Sequence, residues 1–205
     1  MLYADGEGID KAQAAAERSI AICDRERWNT FLPWPQALRA HCLAAAGRCG
    51  EARDDAENAF ALACQLGDPC WEGMAGRALA LLALHAGDGA AATEWITDAR
   101  RRCDRLPDRY VWISGFVALE QLEIAARLQP ELVAPLARRL YQDALRMDLP
   151  EFTAWALIYQ AEAGDSAHLP LARTLAADIV NPELQARVAA LERRAPSPVP
   201  PLRQA

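Results

Sequence analysis

Apolar and small residues recur along this chain at intervals of three and four, the spacing of a helix face. Residues 9–27 place Ala12, Ala16, Ser19 and Ile20 on one such face. The same pattern predicts helices over 34–46 and 50–66, 69–86 and 89–103, 108–128 and 131–147, and 151–163 and 166–179. No stretch alternates apolar with polar residues in the manner of a strand. A last helix over 182–194 carries Leu184, Val188 and Leu191 as a single stripe with charged residues elsewhere, the build of a terminal cap.

The helices come in a repeating unit. Gly47, Gly87 and Arg127 stand forty residues apart, each at the end of a helical stretch. Ala52, Ala92 and Leu132 follow in phase, then Ala56, Ile96 and Leu136, then Ala59, Ala99 and Arg139. A fixed period of this length marks a solenoid, whose units bury their apolar faces only by stacking on one another. The expected architecture is therefore all-α, a right-handed α-solenoid of antiparallel helix pairs. Residues 1–33 hold half a repeat, followed by pairs at 34–68, 69–107, 108–150 and 151–181 and the cap at 182–194. Opening on half a repeat predicts apolar surface there, to be covered by another domain, another subunit or a further segment.

Punctuation agrees with these boundaries. Asp68 before Pro69 and Asn181 before Pro182 are cap-and-first-residue pairs. Pro107, Pro130 and Pro150 mark other breaks. Gly47, Gly87 and Gly164 suit helix ends that need a left-handed residue. Residues 195–205 carry four prolines and little to bury, so a disordered tail or linker is expected.

Composition narrows the function classes. Of 205 residues, 52% are hydrophobic, enough for a sizeable core, and the net charge of −6 argues against a nucleic-acid surface. The one lysine, Lys11, sits outside any phosphate-loop pattern. Cys23, Cys42, Cys49, Cys64, Cys70 and Cys103 form no C-x-x-C pair and fall mostly at apolar helical positions, as buried reduced thiols would. No apolar run approaches a membrane span, so a soluble cytoplasmic protein is expected.

The stretch Gly47, Ala52, Ala56, Ala59, Pro69 resembles a tetratricopeptide-type repeat, and 87–99 carries the pattern again. In the third and fourth copies Arg127 replaces the glycine, and Arg139 and Arg173 replace small residues. The forty-residue period, with Gly67-Asp68-Pro69-Cys70-Trp71-Glu72 and Arg100-Arg101-Arg102-Cys103, is similar to the helical region of the large LuxR-family ATP-dependent transcription regulators of bacteria, the MalT-like group. That resemblance implies an array lying between an ATPase module and a DNA-binding module, neither of which is in this sequence. It implies a fragment, a truncated product or a stand-alone adaptor.

Catalytic and metal signatures are weak. His41, His85 and His168 have no ligand spacing around them, and His41 and Cys42, being adjacent, point apart on a helix. Ser114 precedes Gly115 without a nucleophile elbow. Glu120 and Glu123 share a helix face but lack any Glu-x-x-His partner, so they read as a solvated or groove-lining face. Cys70, near a helix start, is the only mild thiolate candidate. Arg100, Arg101, Arg102 and Arg105 suit a helix C-terminus. No enzyme activity, cofactor or metal is expected.

The remaining expectation is a binding groove. Trp34, Trp71, Trp112 and Trp155 each open the first helix of a pair, with Trp112 about a quarter turn out of phase on a 3.6-residue wheel. In tetratricopeptide-like arrays the first helices line the concave face. That geometry would place Trp34, His41, Met74, Arg77, Leu81, His85, Ser114, Val117 and Gln121 in the groove. The expected function is a protein-interaction or regulatory module that holds a partner helix or domain, or flanking domains of a larger regulator. The alternative is a small-ligand sensor using the same groove. Homo-oligomerisation through the half repeat is a further expectation. Arg77→Glu is expected to abolish partner binding without loss of helicity.

Overall fold

The computed structural model describes residues 7–105 and 110–194. Among the described residues the chain is all-helical, with ten α-helices, two short 3-10 turns and no strand. They are α1 (Glu7–Glu26), α2 (Pro33–Ala45), α3 (Cys49–Leu66), α4 (Pro69–His85), α5 (Gly89–Cys103), α6 (Val111–Leu128), α7 (Val133–Arg146), α8 (Pro150–Glu162), α9 (Leu169–Asp178) and α10 (Pro182–Arg194). These follow the helices expected from periodicity to within a few residues. The expected α6 start at Asp108 and the Pro-rich tail lie outside the described residues. None of these helices is long and apolar enough to cross a membrane.

The turns are built as the punctuation implies. Gly47, Gly67, Gly87 and Gly164 all take positive φ. At each, two amides fold back onto carbonyls of the last helical turn, as Gly67 N to Cys64 O and Asp68 N to Ala63 O show. Where no glycine is present, Arg27 and Asp148 adopt the same left-handed backbone, φ 56° and 52°. Asp68 Oδ1 accepts from the amides of Cys70 and Trp71 at 2.9 and 3.2 Å, and Asn181 Oδ1 accepts from Leu184 N at 3.2 Å. The orphan amides of two proline-led helices are thereby satisfied.

Two kinds of helix alternate. α4, α6 and α8 are apolar almost all round and buried almost all round, the expected fate of a helix without a polar face. Along the row α2, α4, α6, α8, each packs on the next. The backbones of α3, α5, α7 and α9 stay apart from one another among the described residues, with side chains bridging neighbours, as Phe60 meets Trp95 and Arg100 meets Asp143, and each packs on the even-numbered helices beside it. They present one narrow stripe: Ala52, Ala56, Ala59 and Ala63 on α3, Ala92, Ile96, Ala99 and Cys103 on α5, Val133, Ala137, Leu140 and Ala144 on α7. Small residues there let backbones approach, and Gly73 and Gly76 of α4 face Ala99 of α5 for the same reason.

These stripes correct the expected spacing. The spacing is forty residues from α3 to α5 but forty-one from α5 to α7. The buried residues of α7 are therefore Val133, Ala137 and Leu140, not Leu132, Leu136 and Arg139. Arg139 is exposed and reaches Asp104 at 2.9 Å, so it replaces no core residue. On α9 the matching positions are Leu169, Ala172 and Ala176, and Arg173 is likewise exposed.

Aromatic rings tie the even-numbered helices together. Trp34 stacks on Trp71 with centroids 5.7 Å apart and tilts against Trp112 at 5.1 Å. Trp112 meets Phe116 edge-on at 6.2 Å, and Phe116 meets Phe152 at 5.2 Å. Such offset and edge contacts are worth about 0.5–1.5 kcal/mol each beyond area burial. The arginines after α5's stripe are internal ties: Arg100 bonds the Ser114 carbonyl at 3.2 Å and Asp143 at 3.3 Å, and Arg102 joins Asp98 and Glu72 beneath the Phe60 ring.

Candidate functional site

The row of even-numbered helices and α1 border an open cavity of about 1120 Å³. α1 brings to it Ala12, Ala16, Ser19 and Cys23, the same phase that α3 uses for its buried alanine stripe. Its own packing is on α2. The face that the repeat pattern prepares for a helix contact here borders open space as well.

Aromatic side chains make the walls. Trp34 from α2, Trp112 and Phe116 from α6 and Trp155 from α8 line the interior, and the exposed Trp28 and Phe31 stand at the rim. The α6 lining runs Trp112, Phe116, Glu120, Glu123 and Arg127, steps of three and four along one stripe, with Leu119 beside it.

The floor is polar and largely buried. Arg77 Nε donates to Glu120 Oε2 at 3.1 Å, with the two side chains 12% and 7% exposed. Arg77 Nη2 also lies 3.3 Å from His41 Nε2, in hydrogen-bond contact with it. An arginine nitrogen can only donate, so His41 Nε2 is the acceptor and the ring proton sits on Nδ1. That Nδ1 is buried, makes no hydrogen bond, and lies 3.9 Å from Glu120 Oε2. Trp34 Nε1 and Trp155 Nε1, on two other lining residues, are also buried donors without a partner. Burial, with the positive charge of Arg77 beside it, holds the His41 imidazole well below its ordinary value, so it is neutral at pH 7. Burial pushes the Glu120 carboxyl up while Arg77 pulls it down.

At the α10 end, Arg187 Nη1 donates to Glu123 at 2.9 Å and to Tyr159 Oη at 3.1 Å, and its Nη2 reaches Glu162 at 2.6 Å. Its guanidinium also lies over the Trp155 and Tyr159 rings. The last helix is thereby fixed against α6 and α8, and Glu183 is brought to the cavity edge.

Of the residues expected in the groove, Trp34, His41, Arg77, Leu81 and His85 line the cavity. Met74, Ser114, Val117 and Gln121 do not. Met74 and Val117 are 2% and 0% exposed within the helical core, and Ser114 is buried with its carbonyl on Arg100. The reason is phase. Val117 and Gln121 sit one residue, about 100° of helix, past Phe116 and Glu120, which do face the cavity. The off-phase Trp112 carried that signal, since it lies on the true lining stripe. Glu120 and Glu123 border the groove, but Glu120 is buried and ion-paired instead of solvated. Nothing in the periodicity announced α1, Phe31 or Trp155 as cavity walls.

Neither cavity thiol, Cys23 or Cys42, is an activated nucleophile, since burial raises the pKa of both. Burial pushes Cys42 up to about 11, leaving it protonated at neutral pH. Cys70, the thiolate candidate, is buried in the core away from the cavity. Among the described residues no three His, Cys, Asp or Glu side chains gather in a metal-holding arrangement. No family model, curated protein or solved structure matches the chain.

Proposed function

We propose that this chain is a ligand-sensing module, a right-handed stack of helix pairs whose concave side takes a small, mostly apolar molecule. One observation carries the reading: a buried, hydrogen-bonding floor of His41, Arg77 and Glu120 lies beneath an aromatic-walled cavity of about 1120 Å³. Apolar walls with a few convergent polar groups are the usual make-up of a small-molecule site. Buried ionisable groups are costly to keep and cluster where function needs them. The succession of even-numbered helices along one row supports the stacked-pair arrangement. In a regulator of the kind the sequence resembles, occupancy would be read by neighbouring domains through the position of α1.

The interaction reading, an apolar partner helix in the same groove, draws support from the rim. Trp28, Phe31 and Ile22 are 55%, 50% and 41% exposed, and all three border the cavity. Partner helices insert such anchors at helical spacing.

Nile red, a neutral dye that brightens in apolar surroundings, tests the main reading. It is expected to bind saturably at one molecule per chain and to lose binding in Ala15→Trp. Ala15 is an exposed residue on the cavity side of α1, so its replacement fills space without disturbing the core. Absence of saturable binding, or binding unchanged in the variant, overturns the small-ligand reading.

A further inference from the structure

Three features of the floor define what it lacks. The first is charge: Arg77 is matched by Glu120 and His41 is neutral, so the cluster is balanced and calls for no counter-ion. The second is direction: His41 Nδ1 carries a proton with no acceptor, while Glu120 Oε2 lies 3.9 Å away across a gap too long for a hydrogen bond. The third is the surround: the rings of Trp34, Trp112 and Phe116 border the same cavity.

We propose that the cavity is shaped for a neutral aromatic molecule bearing a hydroxyl group, seated with its oxygen between His41 Nδ1 and Glu120 Oε2. This rests on the ligand-sensing reading and specifies its ligand class. A hydroxyl both accepts and donates. It takes the His41 proton's hydrogen bond and gives its own hydrogen to Glu120, and an oxygen can lie within bonding distance of two atoms 3.9 Å apart. An ether or ketone oxygen satisfies His41 but leaves Glu120 facing a lone pair. A carboxylate brings a second negative charge against Glu120. An ammonium can donate to Glu120 but sets its charge beside Arg77 and leaves the His41 donor unmatched. The aromatic body follows from the walls, where ring faces and edges stack on or abut a planar guest.

Binding of 2-naphthol, 2-methoxynaphthalene and 2-naphthoate at pH 7, measured by titration calorimetry, separates these cases. The expected result is that 2-naphthol binds at least about tenfold more tightly than either analogue. A site built to hydrogen-bond a hydroxyl discriminates strongly against a molecule lacking it. His41→Phe is expected to lower 2-naphthol affinity to the level of 2-methoxynaphthalene while leaving the latter nearly unchanged. Should that variant not fold, the naphthol-to-methoxynaphthalene ratio in the unaltered chain decides. Equal binding of the two neutral probes overturns the hydroxyl assignment while leaving the ligand-sensing reading in place. Tighter binding of 2-naphthoate overturns it in favour of an anionic ligand. Nile red binding with no response to any naphthalene overturns the ligand class alone, and absence of binding by all four probes overturns both readings.

Discussion

Arg77 Nε and Glu120 Oε2 meet at 3.1 Å, joining α4 to α6 across 43 residues of sequence where both side chains are nearly shut off from solvent. The pair is therefore part of the fold as well as part of the cavity floor. Its partners set the consequences of altering it. Two buried charges that satisfy each other add little net stability, but removing one strands the other.

That asymmetry changes the expectation for Arg77→Glu. Read from sequence, Arg77 is a groove hook whose reversal spares the helices. In the structure the reversal buries a second carboxylate against Glu120 and removes the hydrogen bond to His41. We expect Arg77→Glu to cost about 3–5 kcal/mol. The double replacement Arg77→Met with Glu120→Leu is expected to recover most of that loss, because a well-packed apolar pair often matches a buried ion pair. Urea denaturation followed by circular dichroism measures both. A loss under about 1 kcal/mol for the reversal, the range of solvent-exposed pairs, would mean that water reaches the pair.

The ease of reading α3 and α5, and the difficulty of α7 and the cavity, have one physical origin. Ala52, Ala56, Ala59 and Ala63 are spaced for a helix face and are followed by Gly67 and an Asp68-Pro69 cap, so pattern and punctuation coincide. α7 lacks a glycine before it. Without that mark the one-residue insertion passed unseen, and Arg139 took a core position it does not occupy. The cavity was half legible for a different reason. α4, α6 and α8 are apolar almost all round, so their hydrophobic pattern alone does not say which side packs and which side is left open. On α2 Trp34 and His41 line the cavity, whereas on α6 only the phase of Trp112 separates Phe116 from Val117.

Close packing between α4 and α5 depends on Gly73. A methyl group built there would overlap Cys103 Sγ and come within 3.2 Å of the Ala99 carbonyl oxygen. Replacing glycine by alanine in a helix interior normally gains roughly 1 kcal/mol. Here the overlap decides the sign, and Gly73→Ala is expected to destabilise by about 1–3 kcal/mol, as overpacked cores do. Cys103→Ala removes the sulfur that causes the clash. The two substitutions together should then cost less than the sum of their separate effects, a non-additivity of at least about 0.5 kcal/mol in a double-mutant cycle. Strict additivity would show that α4 moves away from α5 instead of pressing on Cys103.

Asp68 closes α3's turn and opens α4 at the same time. Its carboxylate accepts from Cys70 N and Trp71 N, two amides that the proline-led helix leaves unpaired. Asp68→Ala is expected to cost about 1 kcal/mol, and Asp68→Asn or Asp68→Ser a few tenths, since those side chains also accept from the first helical amides. Thermal unfolding of the three variants ranks them. Equal losses for alanine and asparagine would mean that the charge near the helix N-terminus, and not the hydrogen bond, carries the effect.

His41 gives the molecule a directional response to acid. In the folded chain burial holds its imidazole well below the 6.5 of an unfolded histidine, with Arg77 and then His85 adding to the effect. Above pH 6.5 both states are neutral at this site and it contributes no pH dependence. Below 6.5 the unfolded chain takes up a proton that the folded chain refuses, so stability falls as the pH drops toward the folded value. Glu120, which faces His41, acts with the opposite sign. Its carboxyl is raised above 4.5 in the folded chain, so on acidification the folded form takes up that proton first and gains relative stability. The two are separated by His41→Gln, whose amide oxygen can still accept from Arg77. Between pH 7.5 and pH 5 the unaltered chain is expected to lose more stability than this variant, as read from urea midpoints at each pH. If the variant and the unaltered chain lose stability in parallel, His41 titrates alike folded and unfolded, and the neutral imidazole on which the cavity floor depends is excluded.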